Sequence, residues 1–326
     1  MSEQSANSVK MPSQANTANT TATPEKQRIE FFDLAKGICI LLVVWFHIDA
    51  DSPRDVYINA IRMPLYFFLT GFFFKDYNSF RTFLTKKTNK LLIPFAFFYL
   101  TTAVLFPILA HKLRGITFKM GNDWRLLYAF LTYQRFPNVP LWFLWGLFIL
   151  NIVFYGLRKI IKNLWLLGIV CYILYCLIGH TIVLPASVNE TFSGLIFFYF
   201  GYLTKTKDLL QLLKRKSLVF SMFCLFIGLG FVHIGKCNML ISPLLSITGI
   251  ATLIFLCQRI NHLPYISYVG RHSIIVLVTH EPLIRILSFF PNVGLYATFA
   301  IIAASYILII PFMRKYLPYV TAQKDP

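Results

Sequence analysis

Lys36 and His47 lie inside one apolar run, Phe31 to Ile48. A charged or titratable group at the depth of a hydrophobic segment is costly and usually faces a partner or a cavity. In a helix, eleven steps of about 100° return to nearly the same azimuth, and at about 1.5 Å per residue they place the two side chains roughly 16 Å apart on one face. A cation at one end of such a stripe and an imidazole near the other fit a long anionic ligand. Its charge would sit at Lys36 and its reactive end at His47. The competing reading is a snorkelling lysine with a histidine at the far interface.

A second cluster is Thr279-His280-Glu281-Pro282, followed by Arg285. Pro282 has no N–H, so the carbonyl a turn earlier, near Val278, loses its helical donor. Broken backbone at membrane depth is tolerated where it lines protein or water. His280, Glu281 and Arg285 put three ionisable groups into one apolar run, which favours a site-lining role for His280 and Glu281. Glu281 and Arg285 are also four apart, the spacing of a plain intrahelical ion pair. Trp142 and Trp145 read as interface anchors, and His111, His262 and His272 fall in or near loops.

The elements that must carry these residues follow from composition. Of 326 residues, 57% are hydrophobic and 13% charged, with a mean hydropathy of +0.63. Apolar stretches of bilayer-spanning length recur. They predict an all-α polytopic membrane protein with about ten spans: 31–48, 55–74, 91–110, 140–157, 163–180, 191–204, 217–233, 239–257, 270–289 and 293–313. Residues 1–28, rich in Ser, Asn, Thr and Gln, read as a disordered cytoplasmic tail. They lack the short apolar core of a signal peptide. A membrane domain over 29–316 and a short cytoplasmic tail over 317–326 complete the expected organisation. The sixth span is short enough to be tilted or re-entrant, and Trp124 to Tyr133 is expected at the outer interface.

The net charge of +18 has a topological explanation. With both termini in the cytoplasm, 21 of the 31 Lys and Arg fall on that side and 7 on the other, while Lys36, Arg62 and Arg285 lie within spans. That bias is the positive-inside pattern, and it argues against a nucleic-acid partner. No Cys-x-x-Cys, His-Glu-x-x-His, Gly-x-Ser-x-Gly or phosphate-binding glycine loop occurs, so no metal is expected and the chemistry must come from the membrane domain.

At this point several runs carry a family resemblance. "RIEFFDLAKGICILLVVWFHID" resembles the first span of the membrane acyltransferase-3 family, whose signature is a basic residue, ten residues, then histidine; here these are Lys36 and His47. "IRMPLYFFLTGFFF" is similar to the family's Met-Pro-Leu-Phe-Phe-Phe-Leu-Ser-Gly element, with Thr70 where serine is frequent and Arg62 where many relatives carry histidine. Lys87 and Lys90 precede Pro94 in "KKTNKLLIP", in place of the family's Arg-x-x-Arg. "PLWFLWGLFIL" and "VGRHSIIVLVTHEPLI" resemble later elements, so the likeness runs in order from about residue 28 to 313.

The resemblance implies an acyltransferase of the bacterial cytoplasmic (inner) membrane, in a compact form without an extracytoplasmic esterase-like domain. It would move an acyl group, usually acetyl from cytoplasmic acetyl-CoA, to a hydroxyl of a carbohydrate or glycolipid outside the cytoplasm, as in O-acetylation during surface polysaccharide biosynthesis. A coenzyme A thioester has its charges at the nucleotide end and its carbonyl at the tip of a thin arm. Its phosphates are expected near Lys36, Lys86, Lys87 and Lys90, with lysine acting as a point charge, and its arm would reach His47. His47 is the expected general base, by direct attack of the acceptor hydroxyl or through a transient acyl-histidine. Asp49 is expected to orient the imidazole or contact the sugar, and Asp51 to sit in a solvated turn. Arg62 either stabilises the thioester oxyanion or snorkels to the interface. The alternative class is a proton-coupled transporter or flippase of glycolipid or oligosaccharide, which the same intramembrane charges would suit.

Overall fold

The computed structural model describes residues 29–49, 56–115, 138–182, 184, 187–233, 239–290 and 293–323. The predicted tail 1–28 and the segment Trp124 to Tyr133 lie outside them. Among the described residues the chain is helical without strands: α1 Glu30–Ile48, α2 Val56–Phe72, α3 Phe80–Lys87, α4 Ile93–Arg114, α5 Trp142–Ile160, α6 Leu164–Cys176, α7 Val188–Ser193, α8 Leu195–Thr206, α9 Lys216–His233, α10 Ile241–Ile260, α11 Pro264–Arg271, α12 Ser273–Leu287 and α13 Leu295–Tyr316.

Six helical runs among the described residues are long and apolar enough to cross a bilayer. The outward faces of several helices are apolar: Trp165 on α6 is 82% exposed and Leu308 on α13 is 76% exposed. A surface of that kind is stable against lipid rather than water, and the chain is an integral membrane protein.

Span boundaries differ from expectation where the backbone breaks. The third predicted span is not preceded by a loop: α3 runs into α4 through a π-turn, Thr88–Leu92. Pro94, at the start of α4, supplies no N–H, and a wider turn accommodates that missing bond. The predicted span 270–289 is two helices, α11 and α12, that meet at His272. The short sixth span is likewise two pieces, α7 and α8, divided at Gly194.

Two close crossings hold the helices that matter for the site. On α11, a Cβ at Gly270 would stand 1.9 Å from the backbone oxygen of Asp33 and 2.4 Å from the nitrogen of Gly37, both on α1. Gly71 of α2 meets the Phe198 backbone oxygen of α8 in the same way, at 1.9 Å. Small residues let backbones approach this closely in membrane packing. Because the obstruction at Gly270 is backbone rather than a flexible side chain, Gly270→Ala must push α11 off α1. Overpacking of this kind typically costs about 1–3 kcal/mol, so thermal unfolding in detergent should show a clear loss of stability. Gly228→Ala, where nothing lies within 4 Å of the added Cβ, is the matched control and should leave the transition in place.

Contacts between different helices gather at both ends of α1. At the Lys36 end of α1, His262 Nδ1 lies 3.4 Å from Glu30 and Lys205 Nζ donates to the Phe74 carbonyl at 3.0 Å. Nearby, Arg158 Nε donates to the Tyr202 hydroxyl, which donates to Asp76. At the His47 end, Trp45 packs on Tyr296 and Phe106 on Phe289.

Candidate active site

At the Lys36 end the helices enclose a cavity of about 550 Å³, within the range of small-molecule and cofactor sites. Four cationic residues from four elements line it: Lys36 on α1, Lys87 at the end of α3, Lys90 in the π-turn, and Arg271 at the end of α11. Lys86, one residue from Lys87, is not among the lining; its ammonium lies 5.5 Å from the Tyr77 ring. Three of the four predicted donor-binding lysines thus converge and Lys86 stands apart.

Asp33 organises two of these cations. It is almost fully buried, with Lys36 Nζ at 3.2 Å from one carboxylate oxygen and Arg271 Nε at 3.7 Å from the other. Buried charge is tolerated when it is paired. The Gly37–Gly270 crossing explains the pairing, since it brings the residue after Gly270 to the Asp33 turn of α1. Arg271 was counted in the sequence only as a cytoplasmic charge; the glycine before it was the available signal. The floor is polar as well: the Tyr66 hydroxyl donates to the Lys36 carbonyl at 2.8 Å. Ala322 and Gln323, after α13, complete the lip. Gln323 Oε1 is 2.9 Å from His272 Nδ1, so these residues of the expected cytoplasmic tail fold against the domain.

At the opposite end of α1, the two predicted histidines meet. The His47 and His280 rings have centroids 5.0 Å apart. His280 is wholly buried, and its Nδ1 lies 2.9 Å from the Val276 carbonyl. A carbonyl can only accept, so Nδ1 carries the proton and Nε2 presents a lone pair. That Nε2, and both ring nitrogens of His47, are buried without a hydrogen-bond partner. Buried polar atoms in a native fold are normally hydrogen-bonded, so three unmet ring nitrogens side by side mark this pair as a candidate site.

Arg62 and Arg285 are the cations whose field reaches His47. Arg62 is buried with its guanidinium 3.4 Å from the Phe46 ring centroid, an inward cation–π placement rather than a snorkel to the interface. Glu281 pairs with Arg285, Nε to Oε1 at 2.7 Å, so the plain intrahelical pair forms. Asp49 caps α1 through its backbone N–H to the Trp45 carbonyl. Its carboxylate does not hold the His47 ring, because neither ring nitrogen has a partner.

The carbonyl freed by Pro282 is met. Asn138, fully buried just before α5, donates its Nδ2 to the Val278 oxygen at 2.9 Å. The open carbonyl was legible in the sequence; its donor, 140 residues away, was not. Between the two ends, Ile40 and Val43 on the shared stripe of α1 are buried in the main core.

The arrangement therefore has a cavity lined by four cationic residues at one end of α1 and a pair of buried imidazoles with two arginines at the other, joined by the packed face between them. A family profile described as an acyltransferase domain matches residues 29–314. No curated protein and no solved structure matches the chain. Because the profile covers nearly all of the membrane domain, motifs and helices alike, the chain belongs to the membrane acyltransferase-3 family and is an acyltransferase.

Proposed function

We propose that this acyltransferase carries acetyl from acetyl-CoA, bound from the cytoplasm, to a hydroxyl of an extracytoplasmic or lipid-linked carbohydrate in a bacterial inner membrane. The observation that carries the reading is the convergence of Lys36, Lys87, Lys90 and Arg271 on one cavity, at the end of α1 opposite His47. Four cations around one opening suit the phosphates of a nucleotide. The apolar stripe from Lys36 to His47 suits the thin arm of a thioester. Ile40 and Val43 fill that path, so the arm must displace their packing as it enters.

In the reaction the acceptor oxygen attacks the thioester carbonyl carbon while His47 takes the hydroxyl proton. The carbon–sulfur bond breaks, and the thiolate takes up a proton to leave as coenzyme A. The lone pair on His280 Nε2 accepts a hydrogen bond from the acceptor or from protonated His47. Arg62 and Arg285 stabilise negative charge on the carbonyl oxygen. Mass spectrometry of surface glycans from cells with and without the gene tests the function. Acetyl groups present only with the gene support it, and identical glycans in the two strains overturn it.

The donor site makes its own prediction. Lys87→Gln combined with Lys90→Gln should weaken acetyl-CoA binding, and more so at low salt, where their attraction is least screened. Isothermal calorimetry at two ionic strengths checks it. An unchanged affinity removes these lysines from the donor site.

A further inference from the structure

Asn151 lies midway along α5, fully buried among Leu147, Leu150 and Phe154, and it also lines the cationic cavity. Its Nδ2 donates to the Leu147 carbonyl at 2.7 Å. A carbonyl accepts only, so the amide's orientation is fixed and the atom left over is the oxygen. That oxygen, Oδ1, is buried with no hydrogen-bond partner. The nearby Tyr66 hydroxyl is committed to the Lys36 carbonyl and does not supply a donor. A bare amide oxygen in an apolar wall is unfavourable until an N–H or O–H arrives.

We infer that Asn151 reads the pantetheine arm of the donor, its Oδ1 accepting a hydrogen bond from an arm amide N–H. The inference rests on the donor site proposed above. The chemistry is specific: phosphate oxygens and a thioester carbonyl are acceptors and offer no hydrogen to an amide oxygen. An amide-bearing arm does. The contact fixes how far the arm is inserted and so where its thioester stops relative to His47.

The test compares two probes on purified protein in lipid nanodiscs. Coenzyme A carries the arm; adenosine 3′,5′-bisphosphate carries the nucleotide without it. Asn151→Leu keeps the side chain's approximate shape and removes the acceptor. It should weaken coenzyme A binding about three- to tenfold, the worth of one neutral hydrogen bond, and leave adenosine 3′,5′-bisphosphate binding unchanged. The second probe also reports that the variant is folded. Equal weakening of both probes, or no change in either, overturns the assignment of Asn151. If wild-type protein binds neither probe, the donor site itself is wrong, and this inference falls with it.

Discussion

His47→Ala should leave the protein folded, inserted and able to bind acetyl-CoA, yet reduce acetyl transfer by about 10²–10⁴-fold, the usual contribution of a general base. The ring makes no hydrogen bond to the protein, so its loss removes no structural bond. Donor binding should survive because the cationic cavity is lined from Lys36, three turns away on α1. The neighbouring His280 sharpens the expectation. Adding His280→Ala to His47→Ala should cost little more, because two groups acting on one proton are not additive. Near-normal transfer by His47→Ala would make His280 the base. Lost donor binding in a folded variant would make His47 a binding group.

Lys36→Ala should show the opposite pattern, with weaker donor binding and a rate that partly recovers at high donor concentration. A charge-assisted hydrogen bond contributes about 1.5–3 kcal/mol, so the expected loss is about 10- to 100-fold in affinity. One complication has a definite remedy. Asp33 is buried between Lys36 and Arg271, and removing one cation leaves that carboxylate with half its compensation. Lys36→Ala should therefore be measured against Asp33→Asn as well as against wild type. If the donor site is correct, Asp33→Asn/Lys36→Ala binds acetyl-CoA more weakly than Asp33→Asn alone. Equal affinity in that pair would take Lys36 out of the site and leave it a partner of Asp33.

Much of this site was legible because it rests on short-range periodicity. The spacing of Lys36 and His47 on one helix face, the carbonyl opened by Pro282 and the i to i+4 pairing of Glu281 with Arg285 are all local consequences of helical geometry. What was not legible depends on which helices touch. Nothing in the order of residues says that His280 meets His47, that Asn138 supplies the donor for Val278, or that Arg271 completes the cavity. The backbone breaks were misplaced for a related reason: an apolar run sets the length of a span but not where a π-turn or a change of helix falls within it. Trp145 illustrates the limit. As an aromatic near a span end it read as an interface anchor, yet it packs on Phe95 with its indole N–H buried. Lys86 shows the converse, since three neighbouring lysines look equivalent in sequence and a single turn sends one of them away from the cavity.

The most direct test of the central claim is equilibrium binding of acetyl-CoA to the purified protein in lipid nanodiscs, with adenosine 3′,5′-bisphosphate as competitor. Saturable binding that the competitor displaces, that weakens in Lys87→Gln/Lys90→Gln and that persists in His47→Ala is the predicted result. Absence of binding by folded wild-type protein would contradict it, and would leave this acyltransferase with a different acyl donor.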